Sequence, residues 1–294
     1  MAKEEAKQQM IAPKPEASVP ARIDLGLEDE AGGGLEDIRP EEIRIPFLRV
    51  LDPKSPQVQP PEAGGIPGAV AGSILNTASK EVFDGKKGII FVPAARDYNY
   101  VKYLKRNEDG TGGGFRAVVP PDDAQVKQLL KEQGRFKKLQ IDELDADGVT
   151  KRMEIVETYY LFGIAAPTPD DYFWACVSFA STQIKHYLAM LDMARRFRYP
   201  VGGKLVPGAL WMHQWRFSTA YEKRGAQGWY GWHIGLANRR PDGSADYRDN
   251  ALPRDNPLRI AAKELHDLIK GGKAKADMGA ATAEDARADD ELPF

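Results

Sequence analysis

The chain has 294 residues, 42% of them hydrophobic and 29% charged, and a formal net charge of -2. The opening MAKEEAKQQM lacks the basic stretch and apolar core of a signal peptide, and no apolar run reaches the length needed to cross a bilayer, so a cytoplasmic protein without a membrane partner is expected. A single cysteine, Cys176, removes disulfide frameworks and Cys-rich zinc sites from consideration and reads as a small buried core residue.

Residues 1–44 are rich in Glu, Lys, Ala, Pro and Gly and poor in aliphatics, so they are expected to form a disordered acidic segment. The body is expected over 45–270. It begins with EEIRIPFLRVLDPKSP, then a Pro/Gly-rich stretch over 60–68 and the short apolar segment GAVAGSIL, closed by the Asp84-Gly85 turn signal. KGIIFVPAARDYNYVKYLKR, 87–106, predicts a long bent strand or hairpin, with Pro93 at an edge or bulge. Residues 107–150 read as an insertion holding a glycine loop and one short helix in PDDAQVKQLLKEQ. Strands are expected at 153–166 and 171–180, joined by the turn PTPD.

The apolar period then changes. Ile184, Tyr187, Leu188, Leu191 and Ala194 recur at three and four, which predicts an amphipathic helix with Ser181 or Thr182 as N-cap. Two aromatic strands, 209–224 and 228–240, should face each other across a short Gly-containing loop. A last helix over 256–270 precedes a flexible acidic tail, 271–294. The order is three strands, a helix and two strands, in a mainly β chain. It matches the OB-fold, a five-stranded Greek-key barrel with a helix between strands 3 and 4. A different β-barrel or an α+β sheet with the same order satisfies the pattern too.

Charge is unevenly spread. Residues 181–240 hold 10 Lys+Arg against 2 Asp+Glu, and 86–106 hold 6 against 1, whereas 271–294 hold 3 against 6. A basic body between acidic ends points to a polyanionic partner for the body and another role for the ends. Four of the five tryptophans, Trp211, Trp215, Trp229 and Trp232, fall close together beside Arg216, Arg239 and Arg240. Alternation puts Trp211, His213, Trp215, Phe217 and Tyr221 on one side of their strand. Aromatic faces that stack on bases, beside cations that neutralise phosphates, bind single-stranded nucleic acid. The competing reading is that the rings fill a barrel core. Tyr98, Tyr100 and Tyr103, among Lys102, Lys105 and Arg106, form a second and weaker strip of the same kind, or an exposed hairpin with ordinary tyrosines.

Catalytic patterns are poor. The four histidines, His186, His213, His233 and His266, form no close ligand pair, and GTGGGF lacks the Lys-Ser/Thr of a phosphate loop, so neither an enzyme nor a metal or other cofactor is expected. A nuclease would need a metal site that these residues do not offer.

The final residues run Asp289, Asp290, Glu291, Leu292, Pro293, Phe294. This resembles the C-terminal tip of bacterial single-stranded DNA-binding proteins, usually Asp-Asp-Asp-Ile-Pro-Phe, with two conservative departures. The resemblance implies a tip that docks on replication and repair enzymes, its Phe in an apolar pocket and its acids on a basic rim. The body is unlike the short bacterial protein and looks more like a phage-encoded single-stranded DNA-binding protein, which implies a replication or recombination role in an infected cell. The expected function is therefore to coat single-stranded DNA and recruit partner enzymes. A recombination mediator or strand-annealing protein is the alternative, and a homo-oligomer is left open.

Overall fold

In the computed structural model the described residues are 43–105, 114–134, 138–144, 148–168, 170–225 and 227–278. The expectations for residues 1–42, for Arg106 and for the tip 289–294 lie outside them. In chain order the elements are β1 (Arg44–Ile45), β2 (Phe47–Val50), β3 (Ile74–Asn76), β4 (Val82–Phe83), β5 (Ile89–Leu104), β6 (Gly114–Val119), α1 (Ala124–Gln133), β7 (Leu139–Leu144), β8 (Thr150–Thr168) and β9 (Asp171–Ala180). Then follow α2 (Ile184–Arg196), β10 (Arg198–Val201), β11 (Lys204–Pro207), β12 (Trp215–Arg224), β13 (Gln227–Leu236), α3 (Pro257–Lys270) and β14 (Lys275–Ala276). The chain is mainly β, as its composition and patterning required.

One sheet dominates, in the order β13-β12-β5-β8-β9-β2-β3-β4, with β6 also pairing β5 and β7 also pairing β8. Its neighbours pair antiparallel except β2 and β9, which run parallel with Phe47 opposite Cys176. The long strand β5 shifts register between Pro93 and Ala95, so the expected bulge at Pro93 is present.

The central strands are covered on both faces, which is why YYLFGIAA reads as an unbroken apolar run rather than an alternation. One set of β8 side chains, Tyr160, Phe162, Ile164 and Ala166, packs with Val92, Cys176 and α3. The helix meets them with Leu258, Ala261, Ala262 and Leu265, a three-and-four spacing that puts all four on one face. Its start is fixed by Asn256, whose Oδ1 accepts from Leu258 N–H at 3.0 Å, with Pro257 at the first helical position. The other set, Leu161 and Ala165, faces a second core built from Leu48, Phe91, Val177, Phe179, Tyr187, Met190, Phe197, Trp215, Phe217 and Trp232. These residues come from β2, β5, β8, β9, α2, β12 and β13, so the sheet curls around this core and brings β13 back against β2.

Several boundaries differ from expectation. Within 107–150, the segment read as an insertion, β6 and β7 pair with the main sheet, while α1 seats Val126 and Leu129 on Tyr100, Leu139 and Ile155. The N-cap of α2 is not a Ser or Thr side chain, because a 3-10 turn, Ser181–Gln183, leads into the helix without a side-chain cap bond. Trp211 is not on a strand. After Pro207-Gly208 the chain makes a 3-10 turn, Leu210–Met212, and β12 begins only at Trp215. The ordered body also continues past 270, into the segment read as tail: Ala274 is buried, and β14 pairs parallel with β1, Lys275 beside Arg44.

Candidate functional site

The β12–β13 hairpin carries most of the residues singled out in the sequence. Its register sets Trp215 opposite Leu236, Phe217 opposite Ile234, Thr219 opposite Trp232 and Tyr221 opposite Tyr230, all on one face. The other face carries Arg216 opposite Gly235, Ser218 opposite His233 and Glu222 opposite Trp229.

The first face divides along its length. Trp215 is 1% exposed and Trp232 4% exposed, so their ring faces belong to the core. Phe217 lies between them, 4.6 Å from Phe91 and 5.7 Å from Trp232. Nearer the tip, Tyr221 is 59% exposed, with its ring 5.3 Å from that of Tyr230. Trp229 is half-buried on the opposite face, and its Nε1 is buried without a hydrogen-bond partner. Trp211, away from the hairpin, is half-buried with its ring 4.5 Å from that of His266 on α3.

The cations are partly committed to the protein itself. Arg216 donates to the Lys87 carbonyl at 3.1 Å. Arg240 bridges Asp249 at 2.9 Å and Asp246 at 3.0 Å, and these partners hold its guanidinium above its ordinary range. Arg239 and Lys223 are exposed. The loop carrying Arg239 and Arg240 is anchored by the buried Asn250, whose Oδ1 accepts from Asn238 N–H at 2.6 Å and whose Nδ2 donates to the Asn238 and Asp246 carbonyls.

The second strip splits across its strand. Tyr100 is 3% exposed, packed in the small core under α1. Tyr98 is 39% exposed and stacks on Tyr159 at 5.8 Å. Tyr103 has odd spacing from these two and meets Phe115 on β6 at 6.5 Å. Lys102 is held by Glu143 at 2.6 Å, whereas Lys105 is exposed.

Where β13 approaches the end of β2 and the start of α2, side chains from both reach its backbone. Tyr230 N–H donates to Asp52 Oδ1 at 3.1 Å, and Trp232 N–H donates to Gln183 Oε1 at 2.7 Å. Burial pushes the Asp52 carboxyl above its ordinary range, opposed by the Tyr230 N–H and the charge of Arg49. Gly72, at φ +88°, lies under Tyr230: a Cβ there would come within 2.6 Å of the ring, so only glycine admits this approach. On the other side of Gly231, Glu222 receives Lys185 at 2.7 Å and His186 at 2.8 Å. Burial works to raise the Glu222 carboxyl, but the bonds from Lys185, His186 and Gln183 outweigh it and hold it below the ordinary range.

The histidines serve separate places. His213 is 2% exposed and bonded to the Tyr199 hydroxyl, and burial, then the charge of Arg259, pushes its pKa down to about 4. His186 bonds Glu222, His233 lies 3.4 Å from the Ser218 hydroxyl, and His266 lies 3.0 Å from the Ala94 carbonyl. Sequence reasoning assigned no role to Arg49, Asp52 or Gln183. Alternation had already placed Tyr221 beside the tryptophans, but the three polar residues come from segments whose meeting no local pattern announces.

A family model described as Pam3 phage gp34-like protein matches residues 14–275, and the chain belongs to that phage family. No curated protein and no solved structure matches. Among the described residues no helix is long and apolar enough to cross a membrane.

Proposed function

We propose that this member of the Pam3 phage gp34-like family binds single-stranded DNA through an OB-like barrel and recruits replication or recombination enzymes through residues 289–294. The observation that carries the reading is strand order. Taking β5, β8, β9, β12 and β13 as strands 1 to 5, the path β13-β12-β5-β8-β9 is 5-4-1-2-3, with α2 between strands 3 and 4. That is the order of the OB barrel, whose loops between strands 1 and 2 and between strands 4 and 5 flank the strand-binding surface. Here those positions are taken by the β6–α1–β7 arm and by the β12–β13 tip. The outer face of strands 1 to 3 is covered by α3, so the strand is expected to run over the hairpin tip and the arm. Exposed Tyr221, Tyr98, Lys223, Lys105 and Arg239 are the residues offered to bases and phosphates, with the half-buried Trp229 beside them.

Binding measured on single- and double-stranded oligonucleotides across a salt series tests this. Single strands should be preferred, and affinity should fall steeply with salt as released counterions are restored. Equal affinity for duplex, or no salt dependence, removes the reading. A strand-annealing assay separates a coating protein from an annealing one. For the tail, Phe294→Ala should abolish enzyme capture from bacterial lysate and leave DNA affinity unchanged. Recovery of the same enzymes with and without the ring would reduce the tail to a charged brush.

A further inference from the structure

Among the described residues β13 pairs only with β12, and its other edge approaches β2 and α2. Beside the Asp52 and Gln183 bridges a cavity of about 180 Å³ opens along that edge, lined by Arg49, Ser178, Gln183, Tyr230, Gly231 and Trp232 over aliphatic residues of β2. We infer that this slot receives one unstacked base of the bound strand, an inference that rests on the single-strand reading above.

The argument is one of size and chemistry. Drug-sized ligands fill roughly 300–1,000 Å³, so this volume admits a single planar ring and leaves sugar and phosphate outside. Tyr230 supplies a π face, the Ser178 hydroxyl both donates and accepts, and Arg49 adds a positive charge to the lining. The walls are set in advance. Gln183 is fixed by Trp232 N–H at 2.7 Å and by Glu222 at 3.4 Å. Gln183 Nε2 lies close over Gly231, where an added Cβ would come within 2.3 Å of it and push the amide aside. Exposed Tyr221, edge-on to Tyr230, stands outside the slot where the neighbouring base would lie. A chain of rings thus leads from solvent to the cavity.

The test compares an oligothymidylate with an abasic strand of equal length, on the full chain and on Ser178→Phe, whose ring would fill the slot. Loss of one stacked base corresponds to a loss of about tenfold in affinity. That loss should appear for oligothymidylate and be absent for the abasic strand. Equal losses on both strands, or none on either, overturn the slot while leaving single-strand binding in place. If the unmodified protein binds neither strand, the slot and the reading it rests on fall together. Should Ser178→Phe not fold, judged by its circular dichroism, photo-crosslinking of 5-iodouracil strands to the unmodified protein decides. Crosslinks at Tyr230 support the slot, and crosslinks confined to other residues overturn it.

Discussion

The root and the tip of the β12–β13 hairpin are built from the same residue types in the same alternation, yet they meet opposite fates. At the root, Trp215, Phe217 and Trp232 lie inside the curled sheet, closed in by Phe91, Phe197 and Leu48. At the tip, Tyr221 stands mostly in solvent, because the pairing of β12 with β5 ends at Phe217 and the hairpin projects beyond it. An aromatic stripe therefore has no single meaning. Its distance from the neighbouring strand decides whether it is core or contact surface.

The largest effect that would break this contrast is at the root. Phe217→Ala should cost about 3–5 kcal/mol in chemical denaturation, as large aromatic truncations in tight cores do. A cost below 1 kcal/mol would mean that the root is not core.

Next comes a dependence on pH at the same end. His213, its ring 4.7 Å from that of Phe197, has its folded pKa depressed from 6.5 to about 4, so the unfolded chain binds its proton first. Its contribution is present in full above about pH 6.5 and is lost as pH falls through that value toward about 4, amounting to roughly 3 kcal/mol. Unfolding free energy measured across that window should show the slope, and His213→Gln should lack it.

At the tip the sign of the comparison reverses. Tyr221→Ala should leave stability within about 0.5 kcal/mol and weaken single-strand binding by about 1–3 kcal/mol. A variant that unfolds, or that binds as tightly as the parent, erases the distinction between the two ends. The smallest effect belongs to Glu222→Gln, which loosens the tie between the hairpin and the start of α2. With Lys185 largely in solvent, this should cost under about 1 kcal/mol in thermal unfolding.

Local patterning carried the elements a long way. The 171–180 strand, the bulge at Pro93, the short helix after Asp123 and the last helix after Asn256 were all legible, because each rests on alternation, a proline or a cap within a few residues. The parallel pairing of β2 with β9 was not, since it joins Phe47 to Cys176 across most of the chain. The same distinction governs the site. Inward alternation of Trp215 and Phe217 was readable, whereas the burial of Tyr100 depended on α1 folding back over it from a segment read as an insertion. Trp211 was misplaced for a different reason: its aromatic neighbours continue the strand pattern, but Pro207-Gly208 turns the chain first.

The pairing of β1 with β14 has a consequence for how the molecule is made. Arg44 lies beside Lys275, and Asp277 N–H donates to the Ile45 carbonyl at 2.9 Å, so the earliest described strand is completed by the last. Contacts between such distant positions form slowly, because the intervening chain must first be ordered. During synthesis on the ribosome, Ile45, fully buried in the finished protein, has to wait for residues around 275 to emerge. The curled sheet can assemble before then, but the corner that locks its first strand is sealed only when translation of the domain is nearly over.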